Sequence, residues 1–291
     1  MRLAILGRDD SWHVQQLAAA GRELGANVLV APFTRLVGDL STDEASLRIG
    51  DVDLLSFDGV MVRGIPPGSL EQVVFRMDAL HRLERAGVRV LNRPSAIEAC
   101  VDKYLAASRL QSAGLPIPRT IVCESLDEAM AAFSNLNRHV VVKPIFGSEG
   151  RGVVELADEA SAYRVLRTLT TIDSILYMQE FIANPGWDLR AFVIGDRVVA
   201  AMSRHASTDF RTNASRGARC ERYTPSPAQE SLALAAAAAV GAPIAGVDLL
   251  HSSSDACYIL EVNSTPGFQA LMNCTQVPIP KLLMQFLMHG G

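Results

Sequence analysis

The run "VVVKPIFGSEGRGVVEL", residues 140–156, sets an apolar segment against a lysine, a proline and a cluster of glycines, then becomes apolar again. Glycines this close to a lysine point to phosphate, because they admit unusual backbone dihedrals and let backbone N–H groups approach an anion. In the common phosphate loop the glycines come first and a Lys-Ser/Thr pair opens a helix. Here the order is reversed: Lys143 closes the first apolar segment, and Gly147, Ser148, Gly150 and Gly152 follow it. The pattern predicts two antiparallel strands, 140–143 and 152–156, joined by a glycine turn that lies over phosphates as a flap. Lys143 would reach those phosphates from the adjoining strand. A glycine-rich hairpin beside an ordinary surface lysine has the same sequence, so a second group of residues has to decide.

That group lies near the end of the chain. "GVDLL" and "YILEVN" place Asp248, Glu261 and Asn263 on strands. Strand side chains alternate faces, so Glu261 and Asn263 share one face while Tyr258, Leu260 and Val262 are expected on the other, toward a core. Oxygen-bearing side chains that interrupt an apolar strand are costly unless paired or bound. With Asp248 on a neighbouring strand they make a hard oxygen set suited to Mg²⁺ shared with phosphates, and the lack of His or Cys disfavours zinc. A polar face on an edge strand is the competing explanation. Between the two groups lie "DLRAFV" and "SRHASTDFRTNASRG", with Arg190, Arg204, Arg211 and Arg216. Guanidinium forks suit carboxylates and phosphates, and Arg190 stands inside an apolar run.

Working outward, the first third alternates strand and helix. "LAILG", "NVLVAP", "LSFDGVMVRG" and "VRVLN" read as strands, and residues 12–24 and "SLEQVVFRMDALHRLERAG" as helices, which argues for a small open parallel sheet. Gly7 lacks the second and third glycines of a dinucleotide fingerprint and reads as a plain strand-to-helix turn. "SAIE", residues 95–98, has capping-box spacing, so one helix is expected from about Ala96 to Gly114, carrying Asp102 and Lys103. "LPIPRTIVCE" is an extended entry to a new domain, since its prolines forbid helix. Helices at 126–136 and 159–169, a strand at 175–181, an "IGD" hairpin, an alanine-rich helix near 226–240 and a closing amphipathic helix in "IPKLLMQFLMHGG" complete the reading. The expected division is 1–95, 96–184 and 185–291. Arg63 ends an expected parallel strand, where binding crevices commonly lie, or is a turn residue. The apolar tail suits a homo-oligomer interface or core packing equally.

Bulk properties fit an ordinary globular chain: 291 residues, 49% hydrophobic, 20% charged, net charge −4. No general nucleic-acid binder is expected, although a local basic patch stays compatible, and no run is long enough for a membrane span. The five cysteines, 100, 123, 220, 257 and 274, form no C-x-x-C pair. They read as buried free thiols of a reducing, cytoplasmic protein. "MRLAILG" reads as a first strand, not a signal peptide. His13, His81, His139, His205 and His251 are scattered, and no Ser-His-Asp or Cys-His arrangement stands out; only His205 is placed to approach the site.

Taken in order, "DKYLAASRLQSAGLPIPRT", "VVKPIFGSEGRGV", "QEFI", "DLRAFVIGDRVVAAMSR", "DFRTN", "AGVDLL" and "LEVNSTPGF" resemble the ATP-grasp superfamily, and within it the RimK-type α-L-glutamate ligases. The resemblance implies an α/β chain, α+β in its ATP-binding part, with an ATP-grasp fold behind a small parallel-sheet pre-ATP-grasp domain. It implies ATP with two Mg²⁺ or Mn²⁺ ions. On this likeness Lys103 and Lys143 contact phosphates, and Glu180 and Phe181 line the adenine. Asp188, Arg211, Thr212 and Asn213 complete the nucleotide site, and Asp248, Glu261 and Asn263 hold the metal. Arg190, Arg204 and Arg211 act on the transferred phosphate and the substrate carboxylate. The implied reaction is carboxylate–amine ligation through an acyl phosphate, with L-glutamate added to a small molecule or a protein tail. The alternatives are a biosynthetic ligase acting on a carrier protein, a dipeptide- or glutathione-type synthetase, and a non-catalytic ATP-binding regulator. Two loops depart from the RimK pattern: Gly217 is followed by Ala218 where a Gly-Gly pair is usual, and Phe268, Gln269, Ala270 and Leu271 replace a small Glu/Gly turn. Both loops are expected to face the acceptor pocket.

Overall fold

Apolar runs closed by glycine or proline become the strands of the first part of the chain in the computed structural model, which describes residues 1–41, 46–147, 150–206 and 218–290. β1 (Arg2–Leu6) leads through α1 (Trp12–Glu23) to β2 (Asn27–Ala31). A small antiparallel sheet follows: β3 (Leu36–Asp39), β4 (Ser46–Ile49) and β5 (Val52–Asp53). These strands are too short for a period-2 pattern to stand out, and none is expected from the sequence. β6 (Gly59–Val62), α2 (Leu70–Arg85) and β7 (Arg89–Leu91) complete a parallel sheet of order β2-β1-β6-β7. Leu3, Ala4, Ile5 and Leu6 are all fully buried, as expected of a parallel strand covered on both faces.

The expected single helix at 96–114 is two helices, α3 (Pro94–Val101) and α4 (Lys103–Ser112). Pro94 occupies the first turn of α3, where its missing N–H costs nothing, so Arg93 and not Ser95 stands at the cap. Asp102 breaks the run with extended backbone, and its Oδ1 accepts N–H bonds from Tyr104 and Leu105 at 2.8 and 3.1 Å. An aspartate favours this capping role over a place inside a helix. The break also lets the Lys103 N–H meet the Ile145 carbonyl at the base of the glycine turn, 3.4 Å away.

The middle of the chain contains β8 (Thr120–Cys123), α5 (Leu126–Asn135), β9 (Val140–Lys143), β10 (Val154–Leu156), α6 (Glu159–Thr170) and β11 (Leu176–Glu180). The strands form an antiparallel sheet of order β10-β9-β11-β8 with its own core around Phe133, Leu166 and Met178. β9 and β10 pair antiparallel across the glycine turn, as the opening run predicts. β10 starts two residues later than expected. Gly152 stays in the turn at φ +70°, where an added Cβ would come within 2.8 Å of Pro144 Cγ.

The last part contains β12 (Trp187–Ile194), β13 (Arg197–His205), β14 (Arg219–Arg222), α7 (Pro227–Val240), β15 (Ile244–His251), β16 (Cys257–Asn263), α8 (Gln269–Thr275) and α9 (Ile279–His289). Its antiparallel sheet runs β14-β13-β12-β15-β16. One face packs α7 and α4, and the other packs α8, α9 and α1 around Phe192, Phe268 and Leu283. The apolar tail therefore buries its face inside the chain, with Ile279, Leu283, Met284 and Leu287 fully covered. Asn92, just past β7, ties the first sheet to the last. Its amide donates to the carbonyls of Ile244 and Ser264 at 2.7 and 2.5 Å and accepts from the Ile244 N–H at 3.1 Å.

Three further expectations need correction. α8 begins where a pocket-facing loop is expected, and Phe268 and Leu271 are fully buried. The register of β15 on β16 slips between Asp248 and Leu249, so Glu261 pairs with Asp248 but Ile259 with Leu249. This bulge breaks the alternation: Ile259 and Val262 enter the core, and Leu260 turns to the cleft beside Glu261. All five cysteines are free, but only Cys100 is buried; the other four are half-buried. Among the described residues, no helix is long and apolar enough to cross a membrane.

Candidate functional site

A cleft separates the central sheet from the last one. Lys143 ends β9, Gln179 and Glu180 end β11 and Phe181 follows it, so the central sheet supplies one wall. Asp188, Arg204, Asp248, Leu260 and Glu261 supply the other wall, from β12, β13, β15 and β16. The glycine turn closes over the top with Gly147, Gly150 and Arg151, and Lys103 enters from the start of α4.

The two lysines are held differently. Lys103 Nζ donates to the Gly147 carbonyl at 2.8 Å, fastening the turn from beneath. Lys143 Nζ donates to Gln179 Oε1 at 2.6 Å. The Gln179 Nε2 amide donates to Thr120 Oγ1 at 3.1 Å, and the Thr120 hydroxyl donates to the Pro118 carbonyl at 2.8 Å. This chain fixes which end of the Gln179 amide faces the ammonium. Burial pushes the Lys143 pKa down to about 8, with Lys103 assisting and Glu261 and Asp248 opposing. Burial also lowers Lys103, against Glu261 and Asp102. Two cations desolvated side by side want an anion between them.

On the facing sheet, two arginines and two aspartates form one buried network. Arg204 grips Asp188 with two bonds, Nε–Oδ1 at 2.7 Å and Nη2–Oδ2 at 2.5 Å, and its Nη2 also lies 3.1 Å from Asp248 Oδ2. Arg190 grips Asp248 through Nε on Oδ1 and through Nη2 on Oδ2, the latter at 2.8 Å. Burial works against the Arg204 charge, yet Asp248 and Asp188 outweigh it and raise the pKa. Burial likewise raises Asp248, but Arg190 and Arg204 together hold its carboxyl below the usual range.

Lys103, Lys143, Gly147, Gly150, Glu180, Phe181, Asp188, Arg204, Asp248 and Glu261 thus all line one cleft. Gly152 supports the turn from behind Pro144. Arg190 stands behind Asp248. Asn263 pairs with Gly246 in the register that pairs Glu261 with Asp248, so it lies on the same face two positions along. His205 contacts Ser203 Oγ at 3.1 Å and Trp187, away from the cleft lining. Ser148, Arg211, Thr212, Asn213 and Arg216 lie outside the described residues. At the far end of the cleft, the Phe181 N–H goes to the His139 carbonyl at 2.9 Å and the Glu180 N–H to Arg119 at 2.8 Å. These two residues therefore offer other atoms to a ligand. The Phe181 ring stacks on His139, with centroids 4.1 Å apart. Gln179, Arg151 and His139 were not singled out from sequence. A glutamine inside the apolar run "LYMQE" was the available signal for the first; the other two carry none.

Whether a divalent cation fits can be asked of the donors. Asp248, Glu261 and Asn263 offer oxygen only, which suits Mg²⁺. Among the described residues, no group of three His, Cys, Asp or Glu side chains is gathered for a metal. The two carboxylates and one amide form a partial donor set of the kind that Mg²⁺ completes with phosphate and water.

Residues 100–287 match the RimK-like ATP-grasp domain family, and residues 1–97 match the RimK pre-ATP-grasp domain family. A tetrahydromethanopterin:alpha-L-glutamate ligase of Methanosarcina acetivorans is 30% identical over 99% of this chain and 98% of its own. A probable alpha-L-glutamate ligase of Xanthomonas campestris is 34% identical over 99% of this chain and 98% of its own. The solved structure of the ATP-grasp ligase PsnB with a minimal precursor superposes with a TM-score of 0.80, at 23% identity over 99% of both chains.

Proposed function

From the premise that this chain belongs to the RimK-like ATP-grasp family, whose members are ATP-dependent C–N ligases, we propose that it joins the amine of L-glutamate to a carboxylate of an acceptor. The observation that carries this reading is the meeting of Lys103, Lys143 and the glycine turn with Asp248 and Glu261 in one cleft. In the proposed reaction a substrate carboxylate attacks the γ-phosphate of ATP, and the bond to ADP breaks as ADP leaves. The resulting acyl phosphate is then opened by the amine, with loss of phosphate. No protein nucleophile takes part.

The chain's own residues bind, orient and exclude water. Lys143, set by Gln179, and Lys103 would offset charge on the phosphates, and the turn would cover them with backbone N–H donors. Arg204 and Arg190, oriented by Asp188 and Asp248, would turn positive charge to the transferred group as the polyphosphate competes for them. Asp248, Glu261 and Asn263 would hold Mg²⁺ as two ions; bound there, the metal offsets phosphate charge and orients the transferred group. Glu180 and Phe181, at the end of β11, suit the base of the nucleotide. Closing the turn keeps water from an acyl phosphate, which hydrolyses readily.

The test is ADP release with Mg-ATP across single amino acids, each with candidate acceptors of two kinds, pterin cofactors and peptides ending in glutamate. Product masses follow. A gain of one or more glutamyl residues is expected. Turnover that ignores glutamate would remove it as the donor. Glu261→Ala should lose ADP release while its melting transition stays cooperative. Retained turnover would remove Glu261 from the metal set.

A further inference from the structure

Arg63 stands where the first sheet meets the last. It follows β6, and Gly7 at the end of β1 makes room for it: a Cβ on Gly7 would lie 2.8 Å from Val14 Cγ2 and 3.1 Å from Arg63 Cβ. The side chain crosses to the loop that continues β16, the strand bearing Glu261. Its Nη2 donates to the Pro266 carbonyl at 3.1 Å, and the guanidinium lies 5.3 Å from the centre of the Phe268 ring. Its Nε is cut off from solvent and has no acceptor. Among the described residues no carboxylate pairs with it. His13, on the edge of the same Phe268 ring, offers no negative charge. It accepts the Phe268 N–H at 3.2 Å, and burial, helped by Arg63, holds its pKa at about 4, so it is neutral.

A bond to one carbonyl explains a donor at this position, but not a full positive charge. Arg63 is half-buried with its Nε enclosed; leaving that part of a guanidinium without a partner is costly, and an arginine fork suits a carboxylate. Pro266 also marks where the second arginine lies. A Cβ on Gly246 would be 2.8 Å from Pro266 Cβ and 2.9 Å from Arg190 Nη1. The two arginines therefore flank the loop that leaves β16. Arg190 is matched by Asp248, whereas among the described residues Arg63 has no such match. An amino acid that supplies an amine to a ligase keeps its own carboxylates through the reaction. Those carboxylates need a cation other than the lysines assigned to phosphate.

We propose that Arg63 is a binding residue for a carboxylate of the incoming amino acid, placed at the junction of the first sheet and the loop after β16. This rests on the ligase reading above and gives its amine donor a recognition group. Measuring L-glutamate binding to the full chain saturated with Mg-ADP, by calorimetry, tests it without an acceptor. Arg63→Gln keeps a donor for Pro266 but no charge; Arg63→Lys keeps charge but no fork. Arg63→Gln should weaken L-glutamate at least tenfold with ADP affinity unchanged, and Arg63→Lys should fall between. In the wild type, either L-glutamine or L-isoglutamine should bind worse than L-glutamate, and Arg63→Gln should erase that difference. Equal L-glutamate affinity in wild type and Arg63→Gln overturns the proposal. So does an equal loss for L-glutamate, both amides and ADP, which would mark Arg63 as a fastening between domains. A wild-type chain that binds ADP but no L-glutamate removes the donor reading itself, and this assignment with it.

Discussion

Nucleotide affinity should fall as pH rises through about 8, because that is where Lys143 loses its proton in the free protein. The cause is desolvation, with Lys103 adding repulsion and Glu261 and Asp248 only partly offsetting it. The sign follows from linkage. A bound phosphate favours the charged amine and raises its pKa, so the protonated form binds more tightly and binding above pH 8 takes up a proton. With a free pKa near 8, the charged fraction drops from about nine-tenths at pH 7 to about one-tenth at pH 9, so the dissociation constant for ADP should rise about tenfold. The nucleotide adds little of its own, since phosphate groups with a second pKa near 6 are already ionised across this range. Calorimetry of Mg-ADP binding between pH 7 and 9.5 reads the slope. Lys143→Arg carries a charge that does not titrate here and should flatten it. Any slope left in that variant belongs to Lys103, which burial also lowers. A flat wild-type curve, or an unchanged slope in Lys143→Arg, would refute the assignment of Lys143 to the phosphates.

Gln179→Glu should place a carboxylate against Lys143, raise its pKa and remove most of that pH dependence; a curve like the wild type's would show that the Gln179 contact does not set the lysine. Arg204→Met should cost about 3–5 kcal/mol in chemical denaturation, because it leaves Asp188 and Asp248 buried with one cation fewer. A loss below about 1 kcal/mol would mean that water or neighbours replace the guanidinium. Gly152→Ala forces a side chain into φ +70° and against Pro144. The turn relieves this strain of about 1–2 kcal/mol by lifting in the free chain, so re-forming it over nucleotide should cost a five- to thirtyfold loss of ADP affinity, with little change in melting temperature. Arg190→Gln should free Asp248 and strengthen Mn²⁺ binding measured by water relaxation without nucleotide; equal affinities would show that the arginine does not compete with metal.

The sequence carried the parts of the site whose residues break their surroundings. Lys143 ends a valine run, Arg190 and Asp248 interrupt apolar strands, and glycines crowd residues 147–152. A polar residue in an apolar strand needs a partner, so the sequence itself raises each as a question. The β9–β10 pairing followed from the same pattern, since two apolar segments around a glycine turn have few other arrangements. What was hidden has local causes. Asp102 could sit within a helix or cap one, and the contact of Lys103 with Ile145, which adds to the capping bonds in favouring the break, is not legible in the sequence. The bulge at Asp248/Leu249 turns Leu260 over, and "YILEVN" reads as unbroken alternation without it. Gln179 holds Lys143 through a contact between residues 36 apart, which no pattern within one strand can show.

The same contacts explain how so much charge is gathered in one cleft before any nucleotide is present. On the last sheet, Arg190, Arg204, Asp188 and Asp248 balance one another, so that wall is oriented and neutral as a unit. Asp248 in particular holds two guanidiniums, which makes it a poor ligand for a metal arriving alone. Glu261 differs: among the described residues it has no ion pair, and it lies within electrostatic reach of both Lys103 and Lys143. The imbalance therefore sits on the lysine side, where two desolvated ammonium groups face a single unpaired carboxylate. Polyphosphate supplies the missing negative charge there. It also competes for Arg190 and Arg204, and so loosens their hold on Asp248. Metal and nucleotide are then expected to bind cooperatively and not in sequence, because each relieves a charge that the other needs relieved. This coupling lies in the arginine–aspartate pairs rather than in the glycine turn, whose part is to cover what the charges have already placed.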